Sequence, residues 1–256
     1  MIPLYRLQTY LYDRTDNFYY TLVMVPPFVG FLHAEEKRVE DNYAIIAEQP
    51  EADLADRIHA LSIHFQAHER VPCVLYLDGL MPSVGTVLQQ KGFTLEKQIS
   101  LMVCSANTLK EPDPIPELKI NSLSLRSSVP AVKEMLDVEA QSGDSRATLA
   151  SEMEAEDFRA KLVDRQAFTV RFAGQGVAAV MYDRIRDRIT ELRGVSTISK
   201  YRGRGIATVA SAHATKIALS MGAEAVFVQI NDNRAAKLFH RIGFRHMTNV
   251  CLYVKK

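Results

Sequence analysis

The feature that most constrains the fold of this chain is a basic turn with two glycines, Lys-Tyr-Arg-Gly-Arg-Gly-Ile-Ala at residues 200–207. It follows residues 189–198, a run rich in β-branched side chains that predicts a strand. It precedes a segment in which apolar residues recur at helical spacing, namely Ile206, Val209, Ala210, His213, Ile217 and Ala218. A strand that enters a helix through such a turn presents backbone N–H groups at the positive end of the helix dipole, which suits a phosphate or pyrophosphate. The sequence therefore predicts a phosphate-binding turn.

Composition excludes several classes of protein. A formal net charge of +1 gives no reason to expect nucleic acid or a membrane surface as a partner. The three cysteines fit neither a disulfide framework nor a zinc motif, and no apolar run reaches the roughly 20 residues that span a bilayer. The N-terminus lacks the pattern of a signal peptide. We expect a cytoplasmic protein without a metal, and the oligomeric state stays open, a homodimer included.

A proline-rich segment divides the chain. Pro112, Pro114 and Pro116 stand at alternate positions, which favours a stiff and extended connection. We expect an N-terminal domain over residues 1–106, a linker over 107–117 and a C-terminal domain over 118–256.

The order of predicted elements indicates an α/β fold in the second half and a weaker repeat of its last part in the first half. Leu88 to Phe93, which contains Gly92, resembles Phe239 to Phe244, which contains Gly243. The turn before the long helix of the first half, Glu48 to Glu51, has no glycine and carries two carboxylates. Such a turn is unsuited to a phosphate, so the first half is predicted to be a degenerate copy.

The second half resembles the GNAT superfamily of acyl-CoA-dependent N-acyltransferases. The family motif Arg/Gln-x-x-Gly-x-Gly/Ala fits Arg202 to Ala207, and Gly194 to Ile198 is similar to the family's lead-in strand. The later Leu238-Phe239 and Gly243-Phe244 are similar to the family's downstream signature, so the resemblance covers residues 118–256. It implies a layered α/β fold with a mixed, strongly curved sheet flanked by helices, in tandem with a degenerate N-terminal copy.

The resemblance also implies acetyl-CoA, or another acyl-CoA, as co-substrate. Backbone groups of Val195, Ser196 and Thr197 would pair with the amides of the pantetheine arm. The pyrophosphate would lie on the turn, whose candidate residues are Arg202, Gly203, Arg204, Gly205, Ile206, Ala207 and Thr208. Asn231 and Asn233 are candidate cofactor contacts, although Asp232 stands where the family has its asparagine and all three side chains suit a helix cap.

Transfer of an acyl group to an amine needs a base for the amine proton. Glu191 matches a position where some family members carry such a base; the alternative is an exposed strand glutamate paired with Arg193 or Arg188. Many family members have a tyrosine acid where this chain has Phe239, which cannot donate a proton. His240, Tyr201, Cys251 or water remain as donors, or the thiolate leaves unprotonated, since a thiol pKa is about 8.5.

The sequence thus predicts an N-acyltransferase, in the first place an N-acetyltransferase, that acts on a primary amine of a small molecule or a peptide. The alternative is a non-catalytic acyl-CoA-binding sensor or a partner-recruiting protein. His59, His64 and His68 lack the glutamate that a zincin has after its first histidine, so we expect no metal site there. The loop over residues 142–146 is expected to border the acceptor.

Overall fold

The computed structural model describes residues 2–13, 19–48, 53–143 and 147–256. Its α-helices are α1 (Leu4–Asp13), α2 (Leu54–Ala67), α3 (Val84–Gln90), α4 (Val129–Gly143), α5 (Glu152–Lys161), α6 (Ile206–Ser220) and α7 (Asn233–Arg241). Its strands are β1 (Tyr20–Val25), β2 (Phe28–His33), β3 (Asn42–Ile46), β4 (Cys73–Leu77), β5 (Phe93–Ser105), β6 (Leu118–Leu123), β7 (Arg165–Phe172), β8 (Gln175–Asp183), β9 (Ile189–Thr197), β10 (Ala225–Ile230) and β11 (Arg245–Lys255). No helix in these ranges is long and apolar enough to cross a bilayer.

The chain forms two compact units. The first contains Met1–Leu101 and Met247–Lys256, and the second contains Met102–His246. The sequence predicts a second domain that runs to residue 256; the structure instead places the last ten residues in the first unit. The reason is strand pairing, because residues 250–254 of β11 lie antiparallel to β4.

In the first unit, β1, β2 and β3 form an antiparallel meander, and β3 then pairs in parallel with β4. Helix α2 connects these parallel strands, as a crossover requires. Its buried Ile58, Leu61 and Phe65 belong to the same apolar cluster as Phe28 and Val74.

In the second unit, β6, β7, β8 and β9 pair antiparallel, and β9 pairs in parallel with β10 across helix α6. The sheet is covered on both faces. Val132, Met135 and Val138 of α4 form a cluster with Ala179 and Met181 on one face. On the other face a cluster joins α6 to the alternate strand residues, among them Val180, Tyr182, Leu192, Val228 and Ile230.

These two clusters show to which side the residues next to Leu192 and Val228 point, because successive residues of a regular strand face opposite sides. Leu192 belongs to the α6 face, so Glu191 and Arg193 point to the face covered by α4. Gln229, between Val228 and Ile230 of the α6 face, also points to the α4 side. Glu191, Arg193 and Gln229 thus share the face of the sheet that α4 covers.

Candidate active site

The turn before α6 has the backbone conformation that the glycines predict. Gly203 and Gly205 both have φ of +77°, which is the left-handed region that glycine adopts without strain. Within the described residues, no backbone N–H from Gly203 to Thr208 donates a hydrogen bond, and a Cβ at Gly203 would meet nothing within 4 Å. Unpaired amides therefore border open space at a helix N-terminus, as a diphosphate site needs.

The basic side chains of the turn have two different roles. The guanidinium of Arg202 donates to the carbonyl oxygens of Thr197 at 3.0 Å and Ser142 at 2.5 Å, so it ties the turn to β9 and to the end of α4. Arg204 lies over the ring of Tyr201, 5.6 Å from its centroid, and is exposed. Arg202 is thus mainly a clamp, whereas Arg204 is placed to add positive charge at the surface.

Strands β9 and β10 part before they end. Their pairing runs from Ile189 opposite Ala225 to Glu191 opposite Phe227, and no further pair joins the described residues of the two strands. Val195, Ser196 and Thr197 lie in the part of β9 beyond this point. The buried Ser196 Oγ and Thr197 Oγ1 have no hydrogen-bond partner in the described part of the chain. A gap with unpaired polar atoms fits an amide-bearing arm such as pantetheine.

A bulge interrupts the other edge of β9. Ser196 pairs with Ala179 and Arg193 pairs with Met181, so Val180 alone faces two residues, Gly194 and Val195. Bulges bend a strand and redirect its side chains, and they are common beside active sites. This bulge follows the predicted base Glu191 and includes Val195, the first residue of the predicted pantetheine segment.

Glu191 is buried and held in place by a neighbouring strand. Only 4% of the residue is exposed, and its Oε1 accepts a hydrogen bond from Gln229 Nε2 at 2.8 Å. Arg193, one of the partners that the sequence suggests for it, binds Asp183 at 3.0 Å. A buried carboxylate on the α4 face is therefore positioned beside the parted strands.

Sequence reasoning missed a second carboxylate, Glu139, in the last turn of α4. Its Oε1 lies 2.6 Å from the place that a Cβ of Gly194 would take. Burial raises the pKa of Glu139, and the positive charges of Arg165 and Arg193 oppose that rise. The helical pattern of α4 shows only that Glu139 adjoins the buried Val138; its contact with Gly194 depends on tertiary structure.

The candidate proton donors differ in their surroundings. Phe239 is buried, with its ring 5.2 Å from that of Phe244, so it is a core residue. His240 is exposed, and Tyr201 donates its hydroxyl proton to Gln175 Oε1 at 2.8 Å. Cys251 belongs to the first unit, where burial raises the pKa of its thiol to about 11. Water and an unassisted thiolate remain the simplest choices.

The remaining predicted site residues fall at the edges of what the structure describes. Asn231 is exposed, and Asp232 accepts a hydrogen bond from the N–H of Arg234 at 2.9 Å, as a helix cap does. The side chain of Asn233, residues 144–146 of the expected acceptor loop and residues 49–51 of the first-half turn lie outside the described residues.

No group of three or more histidine, cysteine, aspartate or glutamate residues in the described ranges is placed to hold a metal ion. In the histidine series of α2, Nδ1 of His68 lies 2.8 Å from the carbonyl oxygen of His64. That contact is local to the end of the helix.

The second unit combines parallel strands that part, a bulge in β9 and a glycine turn with unpaired amides. Residues 131–244 match the model of the Acetyltransferase (GNAT) family. No curated protein matches the chain in sequence.

Solved structures extend the likeness to nearly the whole chain. A GCN5-related N-acetyltransferase from Kribbella flavida is 22% identical, with a TM-score of 0.78 over 98% of this chain and 95% of that one. A GCN5-related N-acetyltransferase from Sphaerobacter thermophilus is 14% identical, with a TM-score of 0.62 over 98% and 84%.

A tandem GNAT protein from the clavulanic acid biosynthesis pathway, in a structure without AcCoA, is 9% identical, with a TM-score of 0.62 over 89% of this chain and 77% of that one. At these identities the likeness shows the fold. The prediction of a mixed α/β GNAT fold in tandem is confirmed.

Proposed function

We propose that this protein is an N-acyltransferase, in the first place an N-acetyltransferase, that moves an acyl group from acetyl-CoA or another acyl-CoA to a primary amine. The observation that carries the proposal is the row of unpaired amides from Gly203 to Thr208 beside the parted strands β9 and β10. The family match over residues 131–244 supports the choice of an acyl-CoA over other phosphorylated ligands.

The co-substrate would be held by backbone groups more than by side chains. The amides from Gly203 to Thr208 and the charge of Arg204 would bind the diphosphate. The segment from Val195 to Thr197 would pair with the pantetheine amides in the gap between β9 and β10. Asn231 and Asn233, near the start of α7, would contact the far side of that arm.

Glu191 is the proposed general base. The thioester supplies an activated carbonyl carbon, which the neutral amine nitrogen attacks. As the carbon–nitrogen bond forms and the carbon–sulfur bond breaks, Glu191 takes the amine proton and the electron pair of the broken bond leaves on sulfur. Water then protonates the thiolate, since Phe239 has no proton to give.

The acceptor is a primary amine on a small molecule or a peptide. The three cysteines are free and buried, which is consistent with the reducing cytoplasm that we propose as the compartment.

Two isosteric variants test the proposal. Gly203→Asp and Gly203→Asn share shape, and both residues tolerate a positive φ better than other side chains do. The open space at Gly203 accepts either one. We expect the aspartate to weaken CoA affinity, measured by calorimetry, about tenfold more than the asparagine, because about 1.4 kcal/mol of repulsion from the diphosphate suffices for that factor.

The activity measurement is the release of free thiol from acetyl-CoA with a panel of primary amines. Turnover that depends on the amine supports the enzyme. Binding of CoA without turnover on any amine would indicate the sensor instead. Equal CoA affinity of the two Gly203 variants would rule out the turn as the diphosphate site.

A further inference from the structure

Glu139 is a carboxylate that forms no direct ion pair within the part of the chain that the structure describes, although Arg165 and Arg193 act on it at a distance. It lies in the last turn of α4 and is half-buried. None of the ion pairs or side-chain hydrogen bonds between described residues involves its carboxylate, whereas Glu134 on the same helix binds Arg171 at 3.1 Å. A half-buried carboxylate that no ion pair or hydrogen bond from a described side chain compensates is costly and calls for an explanation.

The backbone of β9 is adapted to this carboxylate. Any side chain at position 194 would collide with it, since a Cβ there would lie 2.6 Å from Glu139 Oε1. Gly194 is also part of the bulge opposite Val180. The space at the bulge is therefore filled by the Glu139 carboxylate rather than by a residue of the strand itself.

Glu139 and Glu191 are on the same face of the sheet. Glu191 points to the α4 side by strand alternation, and α4 is the helix that carries Glu139. Two arginines on this face, Arg165 and Arg193, act on Glu139 at a distance. Arg193 forms its ion pair with Asp183. The arginines do not compensate for burial, because the pKa of Glu139 is raised in spite of them.

We propose that Glu139 binds a second positive charge on the amine acceptor while Glu191 faces the reacting amine. This inference rests on the proposed function, and it defines the acceptor as a dibasic amine, such as an α,ω-diamine. Glu139 is then a specificity-determining residue, and the base remains Glu191.

The chemistry favours this division of roles. The reacting amine must lose its proton before it attacks, so a lasting ion pair with it would slow the reaction. A distant ammonium group can stay protonated throughout and donate a charge-assisted hydrogen bond to the carboxylate. Glu139 thus contributes to acceptor binding equally before and during the reaction.

The test compares α,ω-diamines with monoamines of the same carbon chain in three proteins: the wild type, Glu139→Gln and Glu134→Gln. We expect the wild type to have a KM at least about tenfold lower for the diamine, the factor that about 1.4 kcal/mol gives. Glu139→Gln should abolish this preference by raising the diamine KM with kcat little changed. Glu134→Gln, which removes only a surface ion pair, should keep it.

A binding measurement decides the inference independently of turnover. In the presence of CoA, diamine should raise the melting temperature of the wild type and of Glu134→Gln more than monoamine does, and not that of Glu139→Gln. If wild-type protein is stabilised equally by both amines, or if Glu139→Gln keeps the diamine preference, the inference is wrong even where turnover is seen. If diamine binds as expected and no amine is acylated, the proposed function fails and the acceptor assignment stands.

Discussion

Gly194 and Gly203 both have positive φ, but they are glycines for different physical reasons. Around Gly203 there is open space, so only its backbone conformation, φ of +77°, favours glycine. At Gly194, with φ of +58°, a Cβ would also meet Glu139 Oε1 at 2.6 Å and Met181 Cε at 2.8 Å. Position 194 is therefore restricted to glycine both by its backbone conformation and by the lack of space for a Cβ.

This difference predicts unequal costs for the same substitution. Gly203→Ala should lower the free energy of unfolding by about 1 kcal/mol, the strain of a left-handed alanine. Gly194→Ala should lower it by at least about 2 kcal/mol, since a steric collision adds to that strain. Denaturant unfolding measures both, and Glu139→Ala should recover part of the loss in Gly194→Ala. Equal losses for the two alanine variants would contradict the packing of Glu139 against Gly194.

Glu191 can be tested by a substitution that keeps its shape. Glu191→Gln removes the basic oxygen, so kcat should fall by a factor of about 10² to 10⁴, the usual contribution of a general base. CoA affinity should stay unchanged, because the variant leaves the turn and Val195 to Thr197 intact. A kcat within twofold of the wild type, measured by thiol release, would mean that another group accepts the proton.

The raised pKa of Glu139 predicts a pH-dependent gain in stability for its neutral variant. Burial disfavours the ionised form in the folded state, so the wild-type carboxylate costs stability above its folded pKa and none below the unfolded value. Glu139→Gln should therefore have the higher melting temperature at pH 8, and the difference should vanish in acid. A variant that is less stable at pH 8 would show that Arg165 and Arg193 outweigh burial.

At the scale of elements, both units have a pair of parallel strands connected by a helix, yet the gaps differ. In the first unit β3 pairs with β4 at Ala44 and Ile45. Just beyond, the buried side chain of Gln8 on α1 bridges the strands. Its Nε2 donates to the Ile46 carbonyl at 3.1 Å, and its Oε1 accepts from the Leu77 N–H at 3.3 Å. In the first unit the Gln8 amide thus binds backbone groups at the position where, in the second unit, pantetheine would bind between the parallel strands.

Because Gln8 occupies the gap in the first unit, we predict that each chain binds a single acyl-CoA, in the second unit. Calorimetry with CoA should give one site per chain, and Gly203→Asp should weaken that site. Gln8→Ala should lower the free energy of unfolding by about 1 to 3 kcal/mol, because two buried backbone groups lose their partner. Its CoA affinity should match the wild type. Two sites of similar affinity in the wild type would contradict a closed first-unit gap.

The sequence predicted those elements whose boundaries are marked by local chemistry. Glycines at 203 and 205 placed the turn before α6. The buried face of α6 was predicted imperfectly. The most buried apolar positions are Ile206, Ala210, Ala214 and Ala218, whereas Val209 and His213 are only half-buried. Alanine is only weakly hydrophobic, so the spacing of alanines in the sequence does not show clearly which face of the helix is buried.

The site was predictable in part for the same reason. The glycine turn before α6 is a local sequence feature, so its position could be predicted. Glu139 and Gly194 are 55 positions apart, and Gln8 is 38 positions from Ile46, so no local pattern could reveal their contacts. Elements α1, β1 and β2 were not assigned from the sequence, because no turn motif like that at residues 200–207 marks them.

At the scale of the whole molecule, the two ends of the chain belong to one unit, and Asp78 is central to that arrangement. Its Oδ1 accepts hydrogen bonds from Thr248 Oγ1 at 2.8 Å and from the N–H of Asn249 at 2.9 Å, and its Oδ2 accepts from Asn249 Nδ2 at 2.8 Å. These contacts span about 170 residues of sequence. The first unit can therefore complete its sheet only after the last strand of the chain is available.

Asp78→Asn tests this closure. Burial alone would raise the pKa of Asp78, but the hydrogen bonds from Asn249 and Thr248 lower it below its ordinary value. The carboxylate therefore stabilises the fold above its unfolded pKa, and this contribution is lost as the pH falls through the lowered folded pKa. At pH 7 the variant should lose about 2 kcal/mol of unfolding free energy, as for hydrogen bonds to a charged group, with the loss shrinking in acid.

The control Asp53→Asn, which breaks an exposed pair with Arg57, should lose less than about 1 kcal/mol. Equal losses for the two variants at pH 7 would show that Asp78 does not secure the last strand.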